Sequence, residues 1–224
     1  MVIFPHEYIE MQFRICYIFG MSMMYKNIIK CVLDIIFALL FLPLLILIII
    51  LLTPFVFFMD KGSIFYCGKR IGKNGKTFKM FKFRTMKKNA PDIRLEDGST
   101  YNGDDDPRVT KVGRFLRKTS IDELPQIINI LLGEMSFIGP RPDTIDWLDR
   151  YSEEERKILS IRPGITGYSQ AYYRNSIDGV TKLKNDIYYV ENLSIELDLK
   201  IFFKTIETVL MRKNINVDQA RFKR

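Results

Sequence analysis

Histidine is nearly missing from this chain: among 224 residues there is one, His6, close to the N-terminus. That argues against a Ser-His-Asp triad, a Cys-His pair or a His-rich metal site, each of which needs an imidazole within reach of other functional groups. Cysteine is scarce as well. Cys16, Cys31 and Cys67 are odd in number, widely spaced and without a Cys-x-x-Cys pair. Neither a disulfide framework nor a zinc site follows, and a reducing, cytosolic setting fits. Any catalysis is left to carboxylates, Lys, Arg or a hydroxyl.

Charge is missing from one long stretch. Ile35–Met59 is 25 consecutive residues without a charge, dense in Ile, Leu and Phe. At ~1.5 Å rise per residue it reaches roughly 37 Å, against a hydrocarbon core of ~30 Å. A spanning anchor is the plain reading, and two features oppose it. Pro43 sits inside the run, where it removes a backbone hydrogen bond and kinks a helix. Basic residues also flank both sides, Lys26 and Lys30 before and Lys61, Lys69, Arg70 and Lys73 after, whereas a spanning helix carries a Lys/Arg imbalance. Spanning and re-entrant arrangements both stay open. Residues 1–24 form no clear signal peptide, and Met21, Met23 and Met24 suggest a functional start just ahead of Tyr25.

What is present is a globular composition, 47% apolar and 27% charged. Residues 61–224 hold 31 basic and 22 acidic residues, a surplus that favours nucleic acid, anionic lipid headgroups or phosphorylated substrates. Ile64–Ile71 and Thr77–Met86 are aromatic and β-branched runs around Asn74-Gly75, which predicts a β-hairpin. Residues 88–108 read as an exposed loop. Leu124, Ile127, Ile128, Leu131 and Leu132 recur at helical spacing up to Gly133, giving a short amphipathic helix. Glu153–Leu159 and Leu199–Arg212 read as further helices. The last of these fits either core packing or an anionic membrane surface.

Gly75-Lys76-Thr77 resembles the end of a phosphate-binding loop, but Arg70 stands where the first glycine belongs and a strand follows, so that motif fails. Asp104-Asp105-Asp106-Pro107 reads as a solvated loop rather than a metal site. Ser120-Ile121-Asp122-Glu123-Leu124-Pro125-Gln126 is the most informative segment. Its bland reading is capping, with Asp122 as N-cap or Ser120 and Glu123 as a capping box. The functional reading has two adjacent carboxylates that, with a substrate diphosphate, suit Mg²⁺. Asp122 is then the nucleophile candidate. Gly139-Pro140-Arg141-Pro142 holds one guanidinium on a stiff backbone, suited to a phosphate. Lys82, Arg84, Arg114, Arg117 and Lys118 are further cations near the hairpin and the acidic segment.

Five ordered segments then carry a resemblance: Lys82-Phe83-Arg84-Thr85-Met86, Gly113-Arg114-Phe115-Leu116-Arg117, Ser120–Gln126, Gly139-Pro140-Arg141-Pro142 and Arg162-Pro163-Gly164-Ile165-Thr166-Gly167. From about Lys26 to Arg212 the chain resembles the short form of the bacterial sugar transferases, the monotopic phosphoglycosyl transferases acting on polyprenyl phosphates. The resemblance implies an α+β, predominantly helical fold with a re-entrant membrane helix, a small hairpin and amphipathic interfacial helices. It divides the chain into an extension (1–24), a helix kinked at Pro43 (25–60) and a catalytic domain (61–224) on the cytoplasmic face of the bacterial inner membrane.

It further implies that Asp122 attacks a UDP-sugar, expels UMP, and passes the phosphosugar to undecaprenyl phosphate, initiating a surface glycan. Asp122 and Glu123 would hold Mg²⁺, while Lys82, Arg84, Arg117, Arg141, Gln170 and Arg174 would contact substrate. The partners implied are UDP-sugar, undecaprenyl phosphate and membrane lipid, not nucleic acid; a homo-oligomer and downstream glycosyltransferases are further candidates. Three segments depart from the family pattern. Lys30-Cys31 replaces Lys-Arg, Leu42-Pro43 replaces Ser-Pro, and Tyr172-Tyr173 replaces the Asn-Gly of Gly-Trp-Ala-Gln-Val-Asn-Gly-Arg-Asn. The rival reading is a non-catalytic, membrane-tethered basic domain in which Asp122 and Glu123 merely cap a helix.

Overall fold

A computed structural model describes residues 23–93, 101, 103, 105–174 and 176–211. The readings made for residues 1–22, and for Asp104, Asn175 and Arg212, lie outside them. After one wide turn over Tyr25–Ile29, helix α1 runs Lys30–Asp60 as a single element through Pro43 and through Pro54, which the sequence reading had passed over. Residues that far along a helix span roughly 46 Å.

One stripe of α1 is buried: Asp34, Ala38, Leu45 and Val56, with Leu42 and Ile49 half-buried between them. The spacing follows one helix face. Elsewhere α1 shows apolar side chains to its surroundings, Leu40, Ile50, Phe55 and Phe58 being 63–76% exposed. An apolar surface of that extent needs a non-aqueous environment.

Both ends of α1 are fastened to the same body. At the start, Lys30 pairs with the buried Asp198, which also accepts from Tyr25 and Tyr189 at 2.6 Å each. One turn on, Asp34 accepts from Ser136 Oγ, Phe137 N–H and Arg162, all at 3.0 Å. At the far end, Arg84 donates to the carbonyls of Val56 and Ser63, and left-handed Lys61 (φ 50°) ends the helix.

Strands β1 (Phe65–Ile71) and β2 (Thr77–Phe83) form the expected antiparallel hairpin, in register from Phe65↔Phe83 to Ile71↔Thr77. Asn74 (φ 58°) and Gly75 (φ 74°) supply the left-handed turn residues. Helix α2 (Lys111–Thr119) follows, capped by the Thr110 hydroxyl on Gly113 N–H. A 3₁₀ turn over Ile121–Glu123 then leads into the short α3 (Gln126–Leu131).

A second sheet was not foreseen. Strands β3 (Ser136–Ile138) and β4 (Gly164–Thr166) pair in parallel. They meet through glycines: a Cβ on Gly164 would lie 2.1 Å from the Gly139 nitrogen, and one on Gly167 would lie 2.2 Å from the Gly139 carbonyl oxygen. Only hydrogen fits there.

Helices α4 (Tyr168–Tyr172), α5 (Gly179–Glu191) and α6 (Ile195–Leu210) complete the described chain. The α6 helix has three faces. Asp198 and Ile201 are buried, and Thr208 donates to the Ala171 carbonyl. Leu199, Phe202, Phe203, Ile206 and Leu210 form an exposed apolar stripe beside that face, and Glu196, Lys200, Lys204 and Glu207 line a charged one. Core packing and an exposed apolar surface therefore coexist on one helix.

Candidate active site

The acidic segment is placed by two apolar anchors. Ile121 packs with Val56, Phe83 and Leu116, while Leu124 and Ile127 pack with Ala38, Leu45 and Met80. Both anchors include residues of α1, so Asp122 and Glu123 are held against the apolar helix itself. The chain reaches them through Ser120, whose left-handed backbone (φ 57°) ends α2 and turns into the 3₁₀ segment.

The capping reading fails here. The residue preceding α3 is Pro125, and neither the 3₁₀ turn nor α3 has a side-chain cap. The helix starts later than expected because Pro125 itself occupies the boundary, leaving both carboxylates outside it.

The two acids are treated oppositely. Glu123 accepts from Lys82 Nζ at 2.7 Å and from Arg141 at 2.8 Å, both on Oε1. Burial alone would raise its pKa, but the charges of Arg141 and Lys82 outweigh burial and hold it well below the usual carboxylate range. Asp122 is 9% exposed, and its carboxylate has no hydrogen bond among the described residues. Burial and the adjacent Glu123 charge push it up to about 6, against the pull of Lys82, Arg117 and Arg141. Asp122 is thus a buried carboxylate, more basic than usual and set among three cations, an arrangement suited to attack on an anionic phosphorus centre.

Each cation has an identifiable support. Lys82 ends β2, which is clamped to α3 by Asn129: its Oδ1 accepts from Phe81 N–H at 2.9 Å and its Nδ2 donates to the Lys79 carbonyl at 2.7 Å. Arg117 donates to Thr85 Oγ1 at 3.0 Å. It reaches that point because Gly113, where a Cβ would lie 2.0 Å from the Thr85 carbonyl oxygen, lets α2 pack against the strand end. Arg141 stands on the Pro140–Pro142 strap, tied by Gly164 N–H to the Pro140 carbonyl at 2.9 Å and by Ile71 N–H to the Asp143 carbonyl at 3.0 Å. Its side chain remains 42% exposed, so it has capacity for a ligand beyond Glu123. Behind the strap, Lys182 holds Asp143 at 2.6 Å.

Asp122, Glu123, Lys82, Arg117 and Arg141 are thus brought together. Arg174, in a left-handed conformation (φ 52°), feels the Glu123 charge and joins their edge. Arg84 is placed differently: its guanidinium donates to the carbonyls at the exit of α1 and so anchors the end of that helix. Gln170 has both amide atoms buried without a hydrogen-bond partner. Asp106, taken for a solvated acid, is fully buried against Arg108 at 2.8 Å. Sequence reasoning missed Asn129 and Asp34. Each is a polar residue inside or beside an apolar helical run, and that interruption was the available signal.

The residues were also tested for a metal. Among the described residues no group of three or more His, Cys, Asp or Glu converges. The open Asp122 carboxylate and the neighbouring Glu123 make a two-carboxylate donor set. That suits Mg²⁺, which takes one or two carboxylates and completes its shell with water and substrate phosphate.

Comparison with known proteins shows the family. Residues 25–212 match the model of the bacterial sugar transferase family. An uncharacterised sugar transferase of Haemophilus influenzae is 44% identical over 73% of this chain and 38% of its own length. The exopolysaccharide production protein ExoY of Sinorhizobium fredii is 44% identical over 80% of this chain and 84% of its own. The undecaprenyl-phosphate galactose phosphotransferase of Salmonella typhimurium is 39% identical over 75% of this chain. The chain spans 39% of that longer relative.

Proposed function

The chain belongs to the bacterial sugar transferase family, and from that membership and the site we propose that it transfers a sugar-1-phosphate from a UDP-sugar to undecaprenyl or another polyprenyl phosphate. The observation that carries the reading is the buried, unusually basic carboxylate of Asp122 beside a Glu123 already paired with Lys82 and Arg141. In the first step an Asp122 oxygen bonds to the β-phosphorus, the bond from that phosphorus to the bridging oxygen breaks, and UMP leaves with that oxygen. In the second, a phosphate oxygen of the polyprenyl acceptor attacks the same phosphorus. The Asp122 carboxylate is released, and a lipid-linked diphosphate sugar forms. Arg117 and Arg141 bind the diphosphate oxygens, and Lys82 holds Glu123 in place. Mg²⁺ on Asp122 and Glu123 would neutralise phosphate charge as it builds.

The fastening of α1 supports a re-entrant arrangement in the membrane. Lys30 and Asp34 at one end and Val56 at the other bond to one polar domain, and a polar domain cannot follow a helix through a bilayer. Insertion and return on a single face, bent at its prolines, accommodates those contacts. We take that face to be the cytoplasmic face of the inner membrane, where the exposed stripe of α6 lies along the interface.

The test is UMP release by detergent-solubilised protein supplied with Mg²⁺, undecaprenyl phosphate and a panel of UDP-sugars. Release with one or a few donors, abolished in Asp122→Asn, is expected. Normal turnover by the Asn variant would overturn the mechanism.

A further inference from the structure

Four tyrosines cluster where α4 meets α5. Ring centroids of Tyr168 and Tyr172 are 4.7 Å apart, of Tyr168 and Tyr188 5.3 Å, and of Tyr172 and Tyr173 6.4 Å. Tyr172, Tyr173 and Tyr188 remain 37–47% exposed. Tyr168 packs against the core, and the other three present an aromatic surface outward from it.

Its orientation decides what it meets. Lys204 lies 5.9 Å from the Tyr172 ring, and Lys200 stands one turn before it on α6. Both lysines stand on the charged face of α6, about 110–150° around the helix from the middle of its apolar stripe at 100° per residue. The tyrosines therefore look toward water and not along the lipid-facing surface. The other boundary of the patch is the reaction centre: Gly167, which opens α4, packs against the Gly139 backbone two residues before Arg141, and Tyr173 directly precedes Arg174.

We propose that Tyr172 and Tyr173, backed by Tyr168 and Tyr188, form the platform that receives the hexose ring of the water-soluble donor and contributes to the choice of sugar. The inference rests on the phosphoglycosyl reading above. A hexose presents an apolar C–H face and a rim of hydroxyls, and tyrosine offers the matching pair, a flat ring and a phenolic donor-acceptor. The sugar is joined directly to the phosphorus that Asp122 attacks, so its ring must lie at the border of the acid pair.

The experiment uses the full chain in detergent and compares Tyr172→Ala, Tyr173→Ala, Tyr172→Phe and Tyr173→Phe. Three quantities are read: KM for each accepted UDP-sugar, inhibition by UMP, and melting temperature. The Ala variants should raise the donor KM about threefold to tenfold, change the relative rates of sugars differing in one hydroxyl, and leave UMP inhibition unchanged. The Phe variants keep the ring and the fold, and should alter sugar preference more than KM. Unchanged sugar preference in all four overturns the platform, as does a parallel weakening of UMP inhibition, which would put uracil on the rings instead. Wild-type protein that releases no UMP from any UDP-sugar would count against the proposed reaction itself. An active wild type with indifferent variants would count against the platform alone.

Discussion

Asp122 ionises at a cost that Glu123 does not bear. The Asp122 pKa stands at about 6 rather than 3.8, so the folded state binds its proton more tightly than the unfolded chain does. Stability is unaffected below pH 3.8, falls as pH rises through the interval up to about 6, and stays lower above it. Asp122→Asn should therefore abolish turnover and yet stabilise the protein by ~1–3 kcal/mol at pH 7.5, with the gain vanishing near pH 4, as read by thermal unfolding at both pH values. For the same reason kcat/KM of the wild type should fall as pH drops below about 6, where the nucleophile takes up its proton. Glu123 has the reverse sign. Its lowered pKa gives stability that is present above its ordinary value of 4.5 and is lost as pH falls below it. Glu123→Gln leaves Lys82 and Arg141 facing each other, and should cost ~1–3 kcal/mol at pH 7, shrinking under acid.

At the scale of elements, the site depends on how strands are attached to helices. Asn129→Leu conserves size but strips partners from Phe81 N–H and the Lys79 carbonyl. It should cost ~1–3 kcal/mol in unfolding free energy and raise the donor KM, because β2 carries Lys82. Gly164→Ala would push a methyl into the Gly139 backbone and should lower both melting temperature and turnover by displacing the Arg141 strap. Sequence reading located what local pattern encodes: the apolar run of α1, the hairpin with Asn74-Gly75 at its turn, the acidic pair and the strap. It did not locate the β3–β4 pairing, since three-residue strands carry too little periodicity. Nor did it locate α4, only five residues long, or α5, whose apolar positions are interrupted by Lys and Asn. The start of α3 was misplaced because cap-forming residues stand in front of a proline that takes the boundary. The opposite pKa shifts of two adjacent acids depend on burial and on Lys82 and Arg141, far away along the chain. Spacing alone does not encode it.

For the whole molecule, the sharpest expectation concerns sidedness. Cys67 is exposed beyond α1, and Met23 is 50% exposed before it. With Cys16 and Cys31 replaced by serine, a membrane-impermeant maleimide should label Cys67 and a Met23→Cys variant from the same side of sealed vesicles. Labelling from opposite sides would require a complete crossing. On the proposed insertion from one side, α1 would displace lipid in one leaflet and leave the other untouched. Each molecule is then a wedge that expands a single monolayer. Its insertion should be easiest where that monolayer is already stretched, and many copies gathered together would bend the membrane toward the leaflet they occupy.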